Sequence, residues 1–335
     1  MAVDDALISR PGAINNSFAT EAAASAIFLK VFAGEVLDAF DEYNVMQDLV
    51  LTRTISSGKE AQFPILGRAI AAGRLPTTTG TVTNLFQDAA YANQIKSAEK
   101  VISVDGPLTS AMLLDEFDEL RVHYDVRSMK AQELGRAISE EYDRRALIMA
   151  VLGARASSQI TATGPDNDRG GIVIIDADFN TNGASAVATL FDAQRQLDEK
   201  FVPEQDRHLV VSPRCYSNLA QQTDLLNRDW TSGRNGQFED GSVFKVAGFQ
   251  LHKSTHVPGT NIAANLTGAI NSYVGDFSTT VAVAFHKSGV GAISLRGMSM
   301  ESEYMIEYQS WGFVAKRIVG LGFLRPEACV EIKTA

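Results

Sequence analysis

Cys215 with His208 offers a thiol and an imidazole, the pairing in which a base activates a nucleophile by removing its proton. No third group with the pattern of an orienting residue accompanies them. Both Cys215 and Cys329 are therefore expected to be small apolar residues of the interior. The run "HKSTH" sets His252 and His256 four apart, the interval of a zinc-binding helix, but lacks the Glu that should follow the first His. It also continues a strand pattern, so surface histidines are expected.

A calcium loop is half written in "DFNTNGASAVAT". Asp178, Asn180 and Asn182 stand at positions 1, 3 and 5 and Gly183 at position 6, but position 12 is Thr189, where a bidentate Glu should close the shell. An Asx-rich turn capping the next helix is the expectation, with Asp178, Asn180 and Asn182 kept as a weak metal candidate. The Gly-Lys of "SSGKE" lacks both the glycine five positions upstream and the following Ser or Thr of a phosphate loop; Arg53 and Glu60 occupy those places. The Gly-x-Gly runs at Gly289–Ser294 and Gly320–Arg325 lack a third glycine, and Pro326 follows the second where a helix should open. No catalytic residue, cofactor or firm metal site emerges.

Charge is distributed more informatively. The chain of 335 residues holds 40 Asp plus Glu against 30 Lys plus Arg, a net of −10. Yet "RTISSGKEAQFPILGRAIAAGR" carries Arg53, Lys59, Arg68 and Arg74 against Glu60 alone. Something acidic is expected to meet this segment. The overall acidic balance argues against a protein that grips nucleic acid, since such binding rests on Lys and Arg neutralising phosphates.

Composition is that of a folded globular protein, with 45% hydrophobic and 21% charged residues. Its length allows about two domains. The longest uncharged apolar run, Ala146–Ala154, is far shorter than the ~20 residues that span a bilayer. Lys30 interrupts "AIFLKVFAG", and Asp4 and Asp5 stand where a signal peptide needs basic residues. Folding in a cytoplasm is expected.

The elements that position these residues follow from periodicity. A polar start is followed by an apolar helix from Thr20 that carries Phe28 and Phe32. Ala61, Phe63 and Ile65 share one parity against Glu60, Gln62 and Pro64, which predicts a half-buried strand, edge-placed because Pro64 cannot donate to a ladder. With the turn-rich Leu75–Asn84 and the returning strand Ile95–Gly106 it forms a long hairpin, and such a ribbon is marginal without outside support. A helix is predicted over Thr109–Arg121, including "DEFDEL". A second runs from Asp125 as N-cap to about Ala154, with Leu134, Ile138, Tyr142, Ala146, Met149 and Leu152 on one face; at 1.5 Å per residue it is a beam of roughly 40 Å. Beyond Gly164 strands and helices alternate: "GIVII", the helix Ser185–Lys200, and "RHLVVSP" handing Ser212 to a new helix as N-cap with Pro213 at its first position. "GSVFKVAGFQLHKS", "VAVAFHK" and the C-terminal region read as strands.

Several blocks carry a family resemblance. "GKEAQFPILGRA" (Gly58–Ala69), "AEKVISVDGPLTSAMLLDEFDEL" (Ala98–Leu120), "HYDVRSMKAQELGRAISEE" (His123–Glu141), "GVGAISLRG" and "GLGFLRPEA" occur in order and resemble the major capsid protein of T7-like short-tailed double-stranded DNA phages. The resemblance runs from about residue 34 and is weakest between about Asp166 and Thr280. It implies an α+β chain of the Hong Kong 97 capsid fold. The implied division is an N-terminal arm (1–52), an extended loop hairpin (53–97), a peripheral domain with a spine helix (98–163), an axial domain (164–275), and a peripheral C-terminal sheet (276–335).

The resemblance further implies a structural protein of the virion, without enzymatic activity or cofactor. Identical subunits would form the hexamers and pentamers of an icosahedral shell, aided by a separate scaffolding protein, with a portal at one vertex. The shell would form as a compact precursor, then expand, and would enclose double-stranded DNA without sequence-specific binding or any membrane. On this reading Phe28, Phe32, Phe63 and Ile65 bury on neighbouring copies, so completing each subunit is also assembling the shell. Lys59, Arg68 and Arg74 would face carboxylates of an adjoining chain, Asp115, Glu116, Asp118 and Glu119 foremost. An encapsulin-type nanocompartment of the same fold is the near alternative. A small-molecule enzyme built on residues 165 to 275 is the alternative of another class, and it requires a pocket with convergent polar groups.

Overall fold

The computed structural model describes residues 44–66, 97–117, 126–160, 169–222, 236–237 and 242–335. Strands β1 (Leu51–Thr54), β2 (Glu60–Leu66), β3 (Ser97–Ser103) and β4 (Leu108–Asp115) precede helix α1 (Val126–Arg155). Then come β5 (Ile172–Ile175), α2 (Gly183–Glu199), β6 (Arg207–Val211) and α3 (Pro213–Ala220). Short strands follow: β7 (Gly236–Gln237), β8 (Ser242–Val243), β9 (Lys245–Val246), β10 (Phe249–Lys253), β11 (Asn261–Ile262) and β12 (Gly275–Asp276). The chain closes with β13 (Thr280–His286), β14 (Val290–Met305), β15 (Ser310–Phe323) and β16 (Cys329–Lys333).

Helix α1 forms because its apolar residues recur every three or four positions: Leu134, Ile138, Tyr142, Ala146 and Met149 are all buried. At its far end the stripe widens. Residues 145–151 are buried on every side, the signature of a helix enclosed rather than laid on a surface. Enclosure comes from two sheets. One has the order β1-β14-β15-β4; the other has the order β5-β16-β13-β6-β10-β9. A single apolar cluster joins α1 to Phe313, Ala315 and Leu321 of the first sheet and to Val210, Val283 and Phe285 of the second.

The second sheet is buried on both faces. Alternate residues Leu209, Val211, Ala282 and Ala284 turn from α1 toward Ala186, Leu190, Ala193 and Leu197 of α2, with Cys215 and Leu219 of α3. That double coverage explains why β13 is buried over its first six residues instead of alternating in and out. Asn182 caps α2 by accepting from Ala184 N, and Ser212 caps α3 with Pro213 in its first turn. Both are starts that side-chain chemistry dictates.

Two expectations are corrected. The predicted helix over Thr109–Arg121 is strand β4 as far as Asp115, paired antiparallel with β15 from Leu108↔Arg317 to Ser310↔Asp115. Helix propensity in "LTSAMLLDEF" is a weak prior, and the ladder offered by the long β15 overrides it. Nor does residue 276 divide the sheets, because β13 and β16 both lie in the six-stranded sheet, β16 between β5 and β13. The last strand is fixed there by a buried charge: Glu331, fully buried, receives Arg155 Nε at 2.6 Å and Nη2 at 2.5 Å, and Thr280 Oγ1 at 2.6 Å.

The ribbon of β2 and β3 pairs from Glu60↔Ser103 to Leu66↔Ser97, with Pro64 opposite Glu99. A ribbon of two strands has no interior strand, so a residue without an N–H is tolerated there. Its root crosses β15 at Gly320, where an added Cβ would stand 2.1 Å from the carbonyl oxygen of Ser103. Gly320→Ala is therefore expected to lower stability by about 1–3 kcal/mol, the cost of forcing an overfilled site apart. Urea denaturation checks this; an unchanged midpoint would show that the ribbon root does not sit on β15.

Candidate intersubunit interface

The ribbon root presents one apolar and one polar face. Ala61, Phe63 and Ile65 are buried at 6%, 8% and 6% exposure, alternating with exposed residues as their parity requires. Their cover is the chain's own: Ala61 and Phe63 cluster with Ile102, Val104, Ile293 and Leu324. The expectation that Phe63 and Ile65 await a neighbouring copy is thus corrected. Ile293 of the first sheet helps cover Phe63, and Ile65 is likewise buried within the subunit.

The basic residues of the root divide in the same way. Arg53 donates through Nη1 to Gln62 O at 2.8 Å and lies 5.9 Å from the Phe63 ring centre. Lys100 stands 4.1 Å over the Phe323 ring, where burial holds its pKa below the usual lysine value. Both pin the ribbon to its own body. Lys59 is exposed; its carbonyl accepts from Val104 N at 2.8 Å. Arg68, Arg74, Asp118, Glu119, Phe28 and Phe32 lie outside the described residues.

A second exposed region stands where β14 turns into β15. Ile306 is 80% exposed and Tyr308 64%, with Gln309 taking the left-handed φ of 49° that closes the turn. Strand β4 ends beside it, since Glu116 N donates to Gln309 O and Glu116 accepts from Tyr304 OH at 2.9 Å. Leu113 and Phe117 of that strand end are also exposed. Met305 and Leu113 close over the bare Cα of Gly312. Asp115 and Glu116 are exposed as expected, but Asp115 is engaged locally, accepting from Phe117 N at 2.8 Å. Sequence reasoning missed this apolar end. The available signal was "MIEY", four residues with three large apolar side chains at a turn.

The candidate chemical groups are structural. Cys215 is buried beside Phe179 O at 3.7 Å, and burial pushes its thiol up to about 12, which leaves no thiolate to attack. Asn182 caps α2, Asp178 O accepts from Thr181 N and Asn182 N, and Asp176 accepts from Ser185 and Thr189. Hydrogen bonding uses the half-written calcium loop as a helix start. Among the described residues no group of three His, Cys, Asp or Glu could hold a metal. His252, expected on the surface, is half-buried, its Nε2 3.3 Å from Nδ1 of the buried His208 on the adjacent strand. A buried carboxylate completes the set: Asp143 of α1 accepts from Val45 N at 2.9 Å and Met46 N at 3.0 Å.

Two sheets, an enclosed spine helix and a two-stranded ribbon make the architecture of a Hong Kong 97-type capsid subunit. Comparison with known proteins extends this. Residues 85–333 match the Gp10A-like major capsid protein family. The chain is 30% identical to the major capsid protein of Escherichia phage T7 over 90% of each chain. It is 30% identical to that of Enterobacteria phage T3, over 92% of this chain and 91% of the relative. The capsid of the cyanophage P-SCSP1u superposes with a TM-score of 0.72 at 33% identity, covering 87% of this chain and 88% of that one. The chain belongs to the Gp10A-like family: it is a structural phage capsid protein, part of the virion, built to assemble with copies of itself, and not an enzyme.

Burial sets two opposing pH effects. It raises Asp143 to about 6, so between pH 4 and 6 the folded chain holds a proton that the unfolded chain has lost, and stability falls as pH rises. It lowers His208 to about 4, so from pH 4 to 6.5 the unfolded chain holds the extra proton and stability rises. Each slope is about 1.4 kcal/mol per pH unit and the two nearly cancel. Relative to the wild type, Asp143→Asn is expected to add a rising slope across pH 4–6, and His208→Gln a falling one. Chemical denaturation at stepped pH measures both; parallel profiles for all three proteins would refute the assignment.

Proposed function

We propose that this protein forms the hexamers and pentamers of an icosahedral shell around a double-stranded DNA genome. Assembly proceeds in the host cytoplasm on a scaffolding protein, with a portal at one vertex. The observation that carries this is the exposed apolar end formed by Leu113, Phe117, Met305, Ile306 and Tyr308 where β14 turns into β15 beside the end of β4. An isolated subunit gains nothing from displaying it. Covered by another copy, it contributes about 25 cal/mol per Å2 of apolar surface removed from water. Repeating one such contact around a ring closes the ring without further instruction.

Charge selects the register. Lys59, Arg68 and Arg74 face carboxylates of an adjoining chain, with Asp115, Glu116, Asp118 and Glu119 as the partners. Exposed pairs of this kind contribute about 0–1 kcal/mol each, so they direct the contact more than they hold it. The acidic surplus of the chain, placed on the inner wall, keeps packaged DNA from adhering, because like charges repel within a Debye length. The 30% identity to phage capsid proteins over nine-tenths of the chain supports a genome container over a cellular nanocompartment.

Co-expression of the scaffolding protein with Ile306→Asp/Tyr308→Asp is expected to abolish shells in electron micrographs while leaving the subunit's melting temperature within a few degrees of wild type. Shells at normal yield would remove the apolar end from the assembly contact. Arg68→Glu/Arg74→Glu is expected to lower shell yield at low salt more than at high salt. An unchanged yield would sink the charge pairing.

A further inference from the structure

The loop joining β11 to β12 is fastened to the foot of the ribbon through one buried carboxylate. Asp105, which follows β3 closely in the chain, is 4% exposed. Its Oδ1 accepts from Ile270 N at 2.7 Å, Asn271 N at 2.9 Å and Asn271 Nδ2 at 3.0 Å, and its Oδ2 accepts from Tyr273 OH at 2.5 Å. All four donors are neutral groups, so their directions decide the fit. A carboxylate in the interior persists only where such donors are supplied. Here they come from residues 165 to 168 positions downstream.

The loop is stiffened by its own side chains. Asn265 accepts from Tyr273 N at 2.9 Å and donates through Nδ2 to Ala269 O at 3.2 Å and Asn271 O at 2.9 Å, which closes the loop on itself. Leu266 and Ala269 pack against the apolar cluster around α1. Arg145 of α1 donates through Nη2 to Thr267 O at 3.4 Å, and its guanidinium lies 5.6 Å from the Tyr273 ring centre. The loop therefore stands on the spine helix. It also grips the ribbon directly: Asn271 Nδ2 donates to Ser103 O at 2.7 Å, and Ser103 N donates to Asn271 Oδ1 at 3.3 Å. One side-chain amide thus pairs with Ser103 as the backbone of a neighbouring strand would.

The Gly106-Pro107 step behind Asp105 has the composition of a hinge, yet its surroundings hold it still. Val104, Asp105 and Gly106 donate their N–H groups to Lys59 O at 2.8 Å, Val319 O at 3.2 Å and Gly268 O at 2.7 Å. A Cβ at Gly106 would stand 2.6 Å from that same Gly268 oxygen, and Gly268 takes a left-handed φ of 75°, which glycine adopts without strain. We infer that Asp105 is the positioning residue of the ribbon. It joins the loop 265–273 and the ribbon root into one rigid foot on α1, so a bend in the ribbon falls on the β3 side of Ser103 and not at Gly106-Pro107. The spine helix then sets the direction in which the ribbon leaves the body. Contact of the ribbon with an adjoining copy belongs to the proposed function; the foot concerns the single subunit and stands or falls without it.

Hydrogen–deuterium exchange of the full chain, followed by mass spectrometry on peptides covering residues 97–106 and β13, tests the foot. In the wild type the amides of residues 104–106 are expected to exchange about a hundredfold more slowly than an unstructured chain. Asp105→Ala should speed exchange over 97–106 by about tenfold, while β13, in the other sheet, stays within about threefold of wild type. Asp105→Asn should stay within about threefold of wild type throughout, because its Oδ1 still accepts the three N–H bonds and its amide can donate to the Tyr273 oxygen. Unprotected amides at 104–106 in the wild type, unchanged exchange over 97–106 in Asp105→Ala, equal acceleration of β13, or an Asp105→Asn variant as loose as Asp105→Ala would each overturn the inference. Should Asp105→Ala fail to fold by circular dichroism, Asn271→Ala removes both Ser103 bonds and leaves the carboxylate in place. It is expected to loosen 97–106 by about tenfold, and no change there would overturn the inference equally.

Discussion

Enclosure of the second half of α1 between two sheets is the constraint on which the rest of this subunit depends. A helix buried on all sides cannot shift against one sheet without disturbing the other, because close-packed interiors do not deform continuously. Its polar groups reinforce that placement at both ends. Asp143 gathers the backbone of Val45 and Met46 just before β1, and Arg155 closes on Glu331 in the last strand. Breaking such a buried pair leaves a lone charge in the interior, at a cost of about 3–5 kcal/mol. Residues nearly 290 apart in sequence are thereby held to one element.

A rigid body of this kind is a precondition for a shell. Register between copies survives only if the contact regions keep their geometry relative to each other, and both described regions stand on the first sheet: the ribbon root against Gly320 and Leu324, and the apolar end where β14 turns into β15. The subunit secures its ribbon by itself, using Arg53, Lys100, Phe63 and Ile65, and leaves exposed the features that a second copy can cover. On the proposed reading, adhesion comes from apolar area and selectivity from charges that contribute little energy individually.

Reading the sequence in order recovers elements whose causes are local. The buried face of α1 through Leu134, Ile138 and Tyr142, the cap at Ser212 with Pro213, and the alternation of Ala61, Phe63 and Ile65 are each dictated by neighbours a few residues away. Strand β4 was not legible, since its ladder partner lies some two hundred residues downstream and its own composition favours a helix. Glu327 and Glu331 were equally opaque: nothing in "RPEACVEIK" announces that both carboxylates will be buried.

The amino-acid order by itself determined that this is an α+β chain with a long beam helix, a basic ribbon in an acidic molecule, no catalytic constellation and a family of phage capsid proteins behind its motifs. Those properties reside in residue type and short spacing, which no fold can alter. Tertiary structure decided which apolar residues face inward and which outward, that β13 and β16 join the sheet of β5 and β6, and that Arg155 at the end of α1 closes on the buried Glu331 of the last strand. Such outcomes depend on pairing across hundreds of residues, where the energy of each contact exists only once both partners have been brought together.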